Sequence, residues 1–579
     1  MNLDRRNFLK GAVFTGALAA GGAIAGCAPS SPSSQKETSD SSETSAQSTS
    51  GEYMNAAKAA QKWEFEVPPE PITDVAETIQ ADVVVVGAGT SGLVTAYSAL
   101  QEGLNVIVVS ASSKPISRGG SNNAIYSKEM EKRGIPRQDP FIMVKEMAQQ
   151  GNNLDTRKWY RYYHNSEEAM NWMIDIMEGA GYRTGIEINS GMVDDSLFYQ
   201  PLAAHGWYNE ENQSIGMTQP FVVNTLAEKI EAEGGKIYYK NIGRQLVRGT
   251  DNASGRVSAI ICEREDGSYA KYEAAKAVVL ATGDFSASRD MMAKYCPQAA
   301  YCIDDDAYDE VDYDKEFVLG GLYPGDGQKM GLWVGAAWQK SYPNAPMGAS
   351  LNAGAEGAQP GPYQNFWGLM VNREGQRFMD EYCSCIMGGR VQTLQPGGES
   401  IALWDSNYCD QSPWYLGQGG LGIIQSSTPD EVRATWEKMV ENGAYVKADT
   451  IEELCEKLEL PTEETKATID RYNQMCDAKE DTDFFKRPEN LLPIKTAPFY
   501  GNKASGIPAF FTVLGGLRTD DMMRVCDEDD NPIEGLYNVG TMIGDFYSGY
   551  YTFQMEGINY GACCLTFGYL TGKFIASNE

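Results

Sequence analysis

Six residues early in the chain have the spacing of a phosphate-binding turn. Gly87-Ala88-Gly89-Thr90-Ser91-Gly92 follows the apolar run ADVVVV and precedes a helix-like stretch, LVTAYSALQEG, and a second apolar run, NVIVV. The glycines permit a tight turn and let the backbone approach a pyrophosphate, which then lies at the N-terminus of the helix. The segment therefore predicts a strand–turn–helix–strand unit that binds a dinucleotide.

The end of the second strand departs from the usual pattern. An acidic residue at this point normally binds the ribose hydroxyls of the dinucleotide. Ser110 occupies the position here. Because a hydroxyl hydrogen-bonds to ribose without the charge of a carboxylate, we expect a weaker contact.

Further glycine-rich segments follow along the chain. They are Arg118-Gly119-Gly120-Ser121-Asn122-Asn123, the apolar strand AVVLATG that ends at Gly283, Gly325-Asp326-Gly327 at the start of a helical stretch, GLYNVG ending at Gly540, and SGYYTFQMEGINYGA over residues 548–562. The set resembles the FAD-binding domain of the superfamily of fumarate reductase, succinate dehydrogenase and 3-ketosteroid Δ1-dehydrogenase. The resemblance covers the chain from about residue 80 to its end.

The resemblance implies an α/β fold, in which a discontinuous Rossmann-like FAD-binding domain carries an inserted α+β capping domain. The expected boundaries are 78–345 for the first part of the FAD-binding domain, 346–508 for the cap and 509–579 for the second part. NREGQRF at residues 372–378 matches a family signature inside the cap. The residues that the resemblance assigns to FAD are Gly87, Gly89, Ser91, Gly92, Ser110, Gly119, Gly120, Ser121, Asn122, Thr282, Gly283, Asp326, Gly540, Thr541, Gly557, Asn559, Tyr560 and Gly561.

The cations that hold fumarate in this superfamily are missing. The cap histidine aligns with Pro346, the proton-donating arginine with Cys385, the His-His-Thr stretch with Phe510-Phe511-Thr512 and the clamp arginine with Met555. Burying a dicarboxylate without cationic partners costs several kcal/mol per ion. Fumarate is therefore not the expected substrate.

The C-terminal segment is closer to the ketosteroid dehydrogenase branch, in which a tyrosine hydroxyl polarises the carbonyl of the substrate. Tyr551 and Tyr550 align with that branch's Gly-x-x-Tyr-Pro-Gly element, with one inserted residue, and Arg390 is a rival proton donor. Phenols and phenylalanines suit a neutral or aromatic enone that is held by stacking and activated by hydrogen bonds. We expect hydride transfer from reduced FAD to an activated C=C bond.

Two alternatives stay open. The same site can desaturate a saturated ketone, as 3-ketosteroid dehydrogenases do, or the chain can be a non-catalytic flavin electron-transfer protein. The cap argues against the second, because a cap closes over a substrate and excludes water. Exported members of the superfamily commonly act as terminal reductases, so reduction is the expected direction.

The first 27 residues resemble an export signal. Asp4-Arg5-Arg6-Asn7-Phe8-Leu9-Lys10 resembles a twin-arginine motif, and Ile24-Ala25-Gly26-Cys27 resembles the lipobox at which bacterial lipoproteins are cleaved and lipidated. Residues 28–77 are expected to form a disordered tether. The expected location is the outer face of the cytoplasmic membrane, with attachment through the lipid anchor only.

Composition excludes several classes of protein. The net charge of −31 argues against nucleic-acid binding. The 12 cysteines include no C-x-x-C or C-x-x-C-H, so neither c-type haem nor ordinary iron–sulfur ligation is expected. With two histidines in the chain we expect no His-based metal site, and we predict no metal. Electrons must then come from a separate cytochrome or quinol-linked donor.

Overall fold

The computed structural model describes residues 63–150, 154–187, 201–211, 218–300, 311–316, 322–348, 368–382, 391–392, 394–411, 429–504, 510–551 and 554–579. The expected export signal, residues 28–62 of the expected tether, Cys385 and Arg390 lie outside these ranges. Within the ranges, no helix combines the length and the apolar character needed to cross a membrane.

The strands are β1 (Glu77–Val86), β2 (Val106–Val109), β3 (Asn122–Asn123), β4 (Arg183–Ile186), β5 (Ala204–Tyr208), β6 (Lys236–Tyr238), β7 (Asn241–Arg248), β8 (Val257–Arg264), β9 (Tyr269–Leu280), β10 (Ala345–Gly348), β11 (Leu369–Val371), β12 (Ser400–Asp405), β13 (Val446–Ala448), β14 (Phe499–Ala504), β15 (Phe510–Leu514), β16 (Arg524–Cys526) and β17 (Pro532–Asn538).

The helices are α1 (Thr90–Gln101), α2 (Lys128–Arg133), α3 (Pro140–Gln150), α4 (Thr156–Gly179), α5 (Gln219–Ala232), α6 (Arg289–Tyr295), α7 (Asp326–Trp333), α8 (Tyr408–Gln411), α9 (Pro429–Glu441), α10 (Ile451–Leu458), α11 (Thr462–Ala478) and α12 (Phe567–Asn578). A π-helical stretch, Asn559–Thr566, leads directly into α12.

The main sheet confirms the predicted strand–turn–helix–strand unit. Its strand order is β16-β17-β9-β1-β2-β6, and β1 runs parallel to both β2 and β9. In addition, β8 pairs with β9, and β7 pairs with β8. Val83 and Val85 pack in one core cluster, whereas Val84 and Val86 pack in another on the opposite face of the sheet. Both faces are covered, which explains why this strand is an unbroken apolar run.

The C-terminal helix α12 packs against α1. Ser98 on α1 donates a hydrogen bond of 2.7 Å from Oγ to the carbonyl oxygen of Tyr569 on α12. A Cβ at Gly572 would lie 2.7 Å from the backbone nitrogen of Ala99, so the two helices pack at a distance that only glycine allows. The regions that carry α1 and α12 thus build one domain, and the predicted FAD-binding fold with an inserted cap is confirmed.

A second, antiparallel sheet lies within the residues predicted to form the cap. Its order is β11-β12-β14-β13, and α9, α10 and α11 belong to the same stretch of chain. The NREGQRF signature forms a turn beside it, in which Asn372 accepts hydrogen bonds from the backbone of Glu374 and Gln376. The buried Arg377 pairs with Glu381 and Asp481 at 2.8 Å each, so the signature stabilises the fold of this region.

The two places where the chain crosses the predicted cap boundaries lie side by side. β10 pairs antiparallel with β15, and Ala345 and Pro346 stand opposite Leu514 and Val513. The expected boundaries after residues 345 and 508 therefore fall at or near one two-stranded connection. The boundaries themselves stay predictions.

The predicted extent of the tether needs a correction. Phe65 is buried, its ring centroid lies 5.9 Å from that of Tyr295, and its carbonyl oxygen accepts a 2.8 Å hydrogen bond from the indole of Trp333. β1 already begins at Glu77. Residues 63–77 are therefore part of the folded domain. The buried ring of Phe65, the ion pair between Glu66 and Lys294 and the hydrogen bonds of Gln245 with Glu70 and Ile72 hold this segment on the core.

Candidate active site

One cavity opens at the carboxyl ends of β1, β2 and β9, where open parallel sheets commonly bind nucleotides. Most of the residues predicted to contact FAD line it. They are Gly87, Gly89, Ser91, Ser110, Gly119, Gly120, Ser121, Thr282, Gly283, Asp326, Thr541, Gly557, Asn559 and Tyr560.

Four predicted residues do not line the cavity and instead support its wall. A Cβ at Gly92 would lie 2.0 Å from the carbonyl oxygen of Gly87, and one at Gly561 would lie 1.9 Å from that of Asn123. A Cβ at Gly540 would lie 2.5 Å from the Oγ of Ser91. Asn122 lies in β3, paired with β5. These residues were assigned to cofactor contact, but their nearest neighbours are backbone and side chains of the protein.

The turn before α1 is shaped for a phosphate group. Gly89 is the N-cap of α1 and gives the helix no side-chain cap, so the N–H groups of the first turn are left for another acceptor. Gly89, Thr90 and Ser91 line the cavity. The nearest atom to a Cβ built on Gly89 is the carbonyl oxygen of Ile116 at 3.5 Å, so the protein itself does not fill this space. A pyrophosphate fits here.

Ser110 and Asp326 lie on the wall at predicted positions. The Ser110 hydroxyl is 2.8 Å from that of Ser112, and its contact with ribose stays a prediction. Asp326 begins α7, and its Oδ2 accepts a hydrogen bond of 2.7 Å from the hydroxyl of Tyr313. The backbone N–H of Gly327 donates to Thr282 Oγ1 at 3.2 Å, which joins the Gly-Asp-Gly and Ala-Thr-Gly segments.

The Gly119-Gly120 segment packs against an aromatic ring. Gly119 has a φ of +99°, and a Cβ at this position would meet the ring of Tyr560 at 3.2 Å. Burial raises the pKa of Tyr560, whereas its hydrogen bond with Ser117 lowers it. The positive φ and the close ring together explain why glycine is needed here.

A buried carboxylate that the sequence analysis did not identify joins three segments of the wall. Asp284 follows Ala281-Thr282-Gly283 directly, and its Oδ2 accepts a 2.6 Å hydrogen bond from Thr512 Oγ1. Arg118 lies 3.5 Å from the same oxygen, and the hydroxyl of Ser286 donates to the other oxygen at 2.9 Å. Asp284 therefore links the end of β9, the Gly-Gly segment and β15.

Tyr551 lies on the cavity wall, as predicted for the catalytic tyrosine. Its side chain is 1% exposed, and its ring stands edge-on to that of Tyr547 with the centroids 5.4 Å apart. Tyr550, the second predicted tyrosine, is half-buried and is not a lining residue. Arg390 lies outside the described residues, so its predicted role stays a prediction.

The positions that replace the fumarate-binding cations have different environments. Phe511 lines the cavity, and so does Met347, next to Pro346. Met555 is fully buried in the main core cluster and is not a lining residue. At Met555 the chain therefore places an apolar side chain in the protein core.

Most charged residues on the wall are acidic. They are Glu187, Asp284, Asp326 and Glu556. Of the lining residues that the structure describes, Arg118 is the one with a cationic side chain, and Asp284 lies beside it. Asp326 is also among the residues predicted to contact FAD, so these charges belong to the combined site of cofactor and substrate.

Glu187 is a further residue that sequence reasoning missed. It follows β4, is 2% exposed and lines the cavity. Burial raises the pKa of Glu187 to about 7, although a hydrogen bond with Ser121 lowers it. No local motif marks this residue, because it reaches the cavity only through the pairing of β4, β5 and β3.

The donors and acceptors of the cavity fit FAD. The uncapped start of α1 suits the pyrophosphate, and Asn559 has a buried Oδ1 with no hydrogen-bond partner in the part of the chain that is described. FAD, when bound, supplies hydride exchange with a carbon substrate. The described ranges hold no cluster of three or more His, Cys, Asp or Glu side chains that could bind a metal ion.

Comparison with known proteins agrees with this site. The family described as FAD binding domain matches residues 82–558. A vinyl phenol reductase of Lactiplantibacillus plantarum is 25% identical over 509 residues, which is 85% of this chain and 94% of the relative. A 3-oxosteroid 1-dehydrogenase of Mycolicibacterium smegmatis is 26% identical over 588 residues, covering 86% and 97%.

A solved structure shares the fold. The 3-ketosteroid-Δ4-(5α)-dehydrogenase from Rhodococcus jostii in complex with 4-androstene-3,17-dione superposes with a TM-score of 0.64 at 19% identity, over 88% of this chain and 99% of that chain. The family match spans most of the chain, so the protein belongs to the FAD binding domain family. It is an FAD-dependent oxidoreductase that acts on CH–CH or C=C bonds.

Proposed function

We propose that this protein reduces an activated C=C bond in a neutral or aromatic substrate. The observation that carries the proposal is that Phe511 and Met347 line the cavity, at and next to positions where the resemblance to fumarate reductases would require histidines. Aromatic and apolar side chains there favour an uncharged body over a dicarboxylate, which would lack cationic partners.

The chain offers separate groups for binding and for activation. Phe511 and Met347 provide apolar surface for the body of the substrate. Tyr551 provides a hydroxyl that, for a carbonyl-bearing substrate, donates a hydrogen bond to the carbonyl oxygen conjugated with the double bond and stabilises the enolate charge that develops on it. The cap excludes water when it closes over the cavity.

The relatives support an aromatic or carbonyl-bearing substrate. One is named a vinyl phenol reductase and another a 3-oxosteroid 1-dehydrogenase. Both names describe a substrate with an oxygen-bearing ring. We place the substrate of this protein in the same broad class.

The direction and the location are part of the proposal. The twin-arginine and lipobox-like residues favour an exported protein that is anchored through Cys27 and receives electrons from a cytochrome or quinol-linked donor, as a respiratory terminal reductase does. Cell fractionation tests this: Cys27→Ser should release the protein from the membrane. Equal membrane attachment of the variant would contradict a lipid anchor.

A desaturating dehydrogenase is the second candidate. It is favoured by the similarity to the 3-oxosteroid 1-dehydrogenase over 86% of the chain. Two anaerobic assays separate the candidates. Viologen-reduced protein should be reoxidised by 4-vinylphenol or a steroid enone if it is a reductase, whereas oxidised protein should reduce an artificial acceptor with a saturated ketone if it is a dehydrogenase. If neither alkene reoxidised the reduced protein, the proposed reduction would be contradicted.

A further inference from the structure

Glu187 places a carboxyl group on the cavity wall with one oxygen unused. Its Oε1 is buried and has no hydrogen-bond partner among the residues described, whereas Ser121 hydrogen-bonds to the carboxyl group. The backbone N–H of Glu187 donates to the carbonyl oxygen of Ala204 at 2.8 Å, which fixes the residue at the end of β4. A buried oxygen without a partner is costly, so such atoms in native proteins are normally explained by a ligand, water or function.

The position of Glu187 relates it to the segment that carries Tyr551. Ser121 packs against that segment, since a Cβ at Gly557 would lie 2.6 Å from the carbonyl oxygen of Ser121. Glu187, Ser121, Gly557 and Tyr551 all line the same cavity. Glu187 thus adjoins the Gly-Gly segment and the C-terminal segment. The resemblance also assigns these segments to FAD, so the experiment has to separate a contact with the flavin from one with the substrate.

The chemistry of the group selects its partner. A carboxyl oxygen accepts a hydrogen bond, and burial makes the ionised form of Glu187 less favourable, so its pKa is raised to about 7. An anionic group placed beside Glu187 would be repelled by the ionised carboxylate and would offer it no hydrogen-bond donor. A neutral hydroxyl or N–H group supplies the missing hydrogen bond.

We infer that Glu187 forms a polar subsite that accepts a hydrogen bond from a neutral donor group of the substrate, of which a phenolic hydroxyl is the simplest case. The inference rests on the proposed function, since it narrows the substrate class of the same cavity. It assigns to Glu187 the selection of the substrate and leaves its activation to Tyr551.

The test measures binding rather than turnover. 4-Ethylphenol and its methyl ether, 4-ethylanisole, are titrated into the oxidised, FAD-loaded full chain, and the flavin absorbance gives each dissociation constant. The two probes share the same ring and differ in the donor. Above pH 7, where Glu187 is ionised, the parent should bind the phenol about 10- to 100-fold more tightly, the range for a hydrogen bond to a charged acceptor.

Two variants and a control complete the test. Glu187→Leu should bind both probes equally, whereas Glu187→Gln keeps an acceptor oxygen and should keep part of the preference. Glu129→Gln removes a carboxylate that is equally buried but paired with Lys132 and Arg133 outside the cavity, and it should keep the full preference.

Three results would overturn the subsite: no preference in the parent, an unchanged preference in Glu187→Leu, or loss of FAD from both Glu187 variants while the remaining loaded enzyme keeps its preference. The last result would assign the carboxyl group to the flavin. If the preference follows Glu187 but 4-vinylphenol is not reduced, the subsite stands and the proposed reduction fails.

Discussion

Thr512 Oγ1 donates a 2.6 Å hydrogen bond to Oδ2 of Asp284. Asp284 follows the strand β9 of the main sheet, and Thr512 lies on β15, where the chain returns from the region predicted to be the cap. Both side chains are at least nine-tenths buried and line the cavity. The bond therefore ties the connection between the two regions directly to the wall of the active site.

Thr512→Val tests this connection. The change keeps the volume and removes the hydroxyl, which leaves one fewer donor for a buried carboxylate and should cost about 1–3 kcal/mol of unfolding free energy. Thr512→Ser, which retains the hydroxyl, is the matched control. Denaturant unfolding measures both. Equal stability of Thr512→Val and the parent would show that the hydrogen bond contributes nothing.

Gly89 and Gly92 should respond differently to a side chain. Gly89 has open space on the cavity side, so Gly89→Val should leave the unfolding of the FAD-free protein little changed and strongly reduce FAD binding. Gly92→Ala places a Cβ 2.0 Å from a backbone oxygen and should destabilise the fold itself. Flavin content and thermal unfolding separate the two effects. Full flavin content in Gly89→Val would refute the assigned phosphate turn.

Tyr551→Phe tests activation of the substrate. Removing a single donor to a developing oxyanion typically lowers turnover by about 10²–10³-fold, with little change in volume. Flavin content should stay at the parent level. Tyr547→Phe is the control, because its hydroxyl is buried, outside the cavity lining and without a partner in the described residues. Unchanged turnover in Tyr551→Phe would remove this tyrosine from the mechanism.

The raised pKa of Glu187 predicts that the stability of the folded protein depends on pH. Its folded pKa of about 7 lies above the ordinary value of 4.5, so its contribution to stability is fully present below pH 4.5 and is lost as the pH rises to about 7. The shift corresponds to roughly 3 kcal/mol. Glu187→Gln should therefore gain stability relative to the parent between pH 4.5 and 7.5. A stability difference that does not change with pH would contradict the raised pKa.

Local sequence predicted the nucleotide-binding unit because its glycines are required by local geometry. Gly87, for example, has a φ of +119° and contacts the backbone of Ala281. Glu187 and Asp284 were missed because they meet the cavity through strand pairing and through contacts between distant segments. The order of the segment around Phe65 was missed for the same reason, since the ring of Phe65 packs against Tyr295, which is far away in the sequence. The close packing of Gly561 on Asn123 likewise depends on a tertiary contact.

We propose that the protein binds and reduces a neutral or aromatic alkene in this cavity rather than a dicarboxylate. The most direct measurement is the anaerobic oxidation of reduced methyl viologen by the purified FAD-loaded protein, with 4-vinylphenol and fumarate compared by kcat/KM. With Phe511 on the wall in place of a fumarate-binding histidine, fumarate should be reduced negligibly, and the vinylphenol should be reduced at least about a hundredfold more efficiently. Brisk reduction of fumarate, with no reduction of the neutral alkene, would contradict the account.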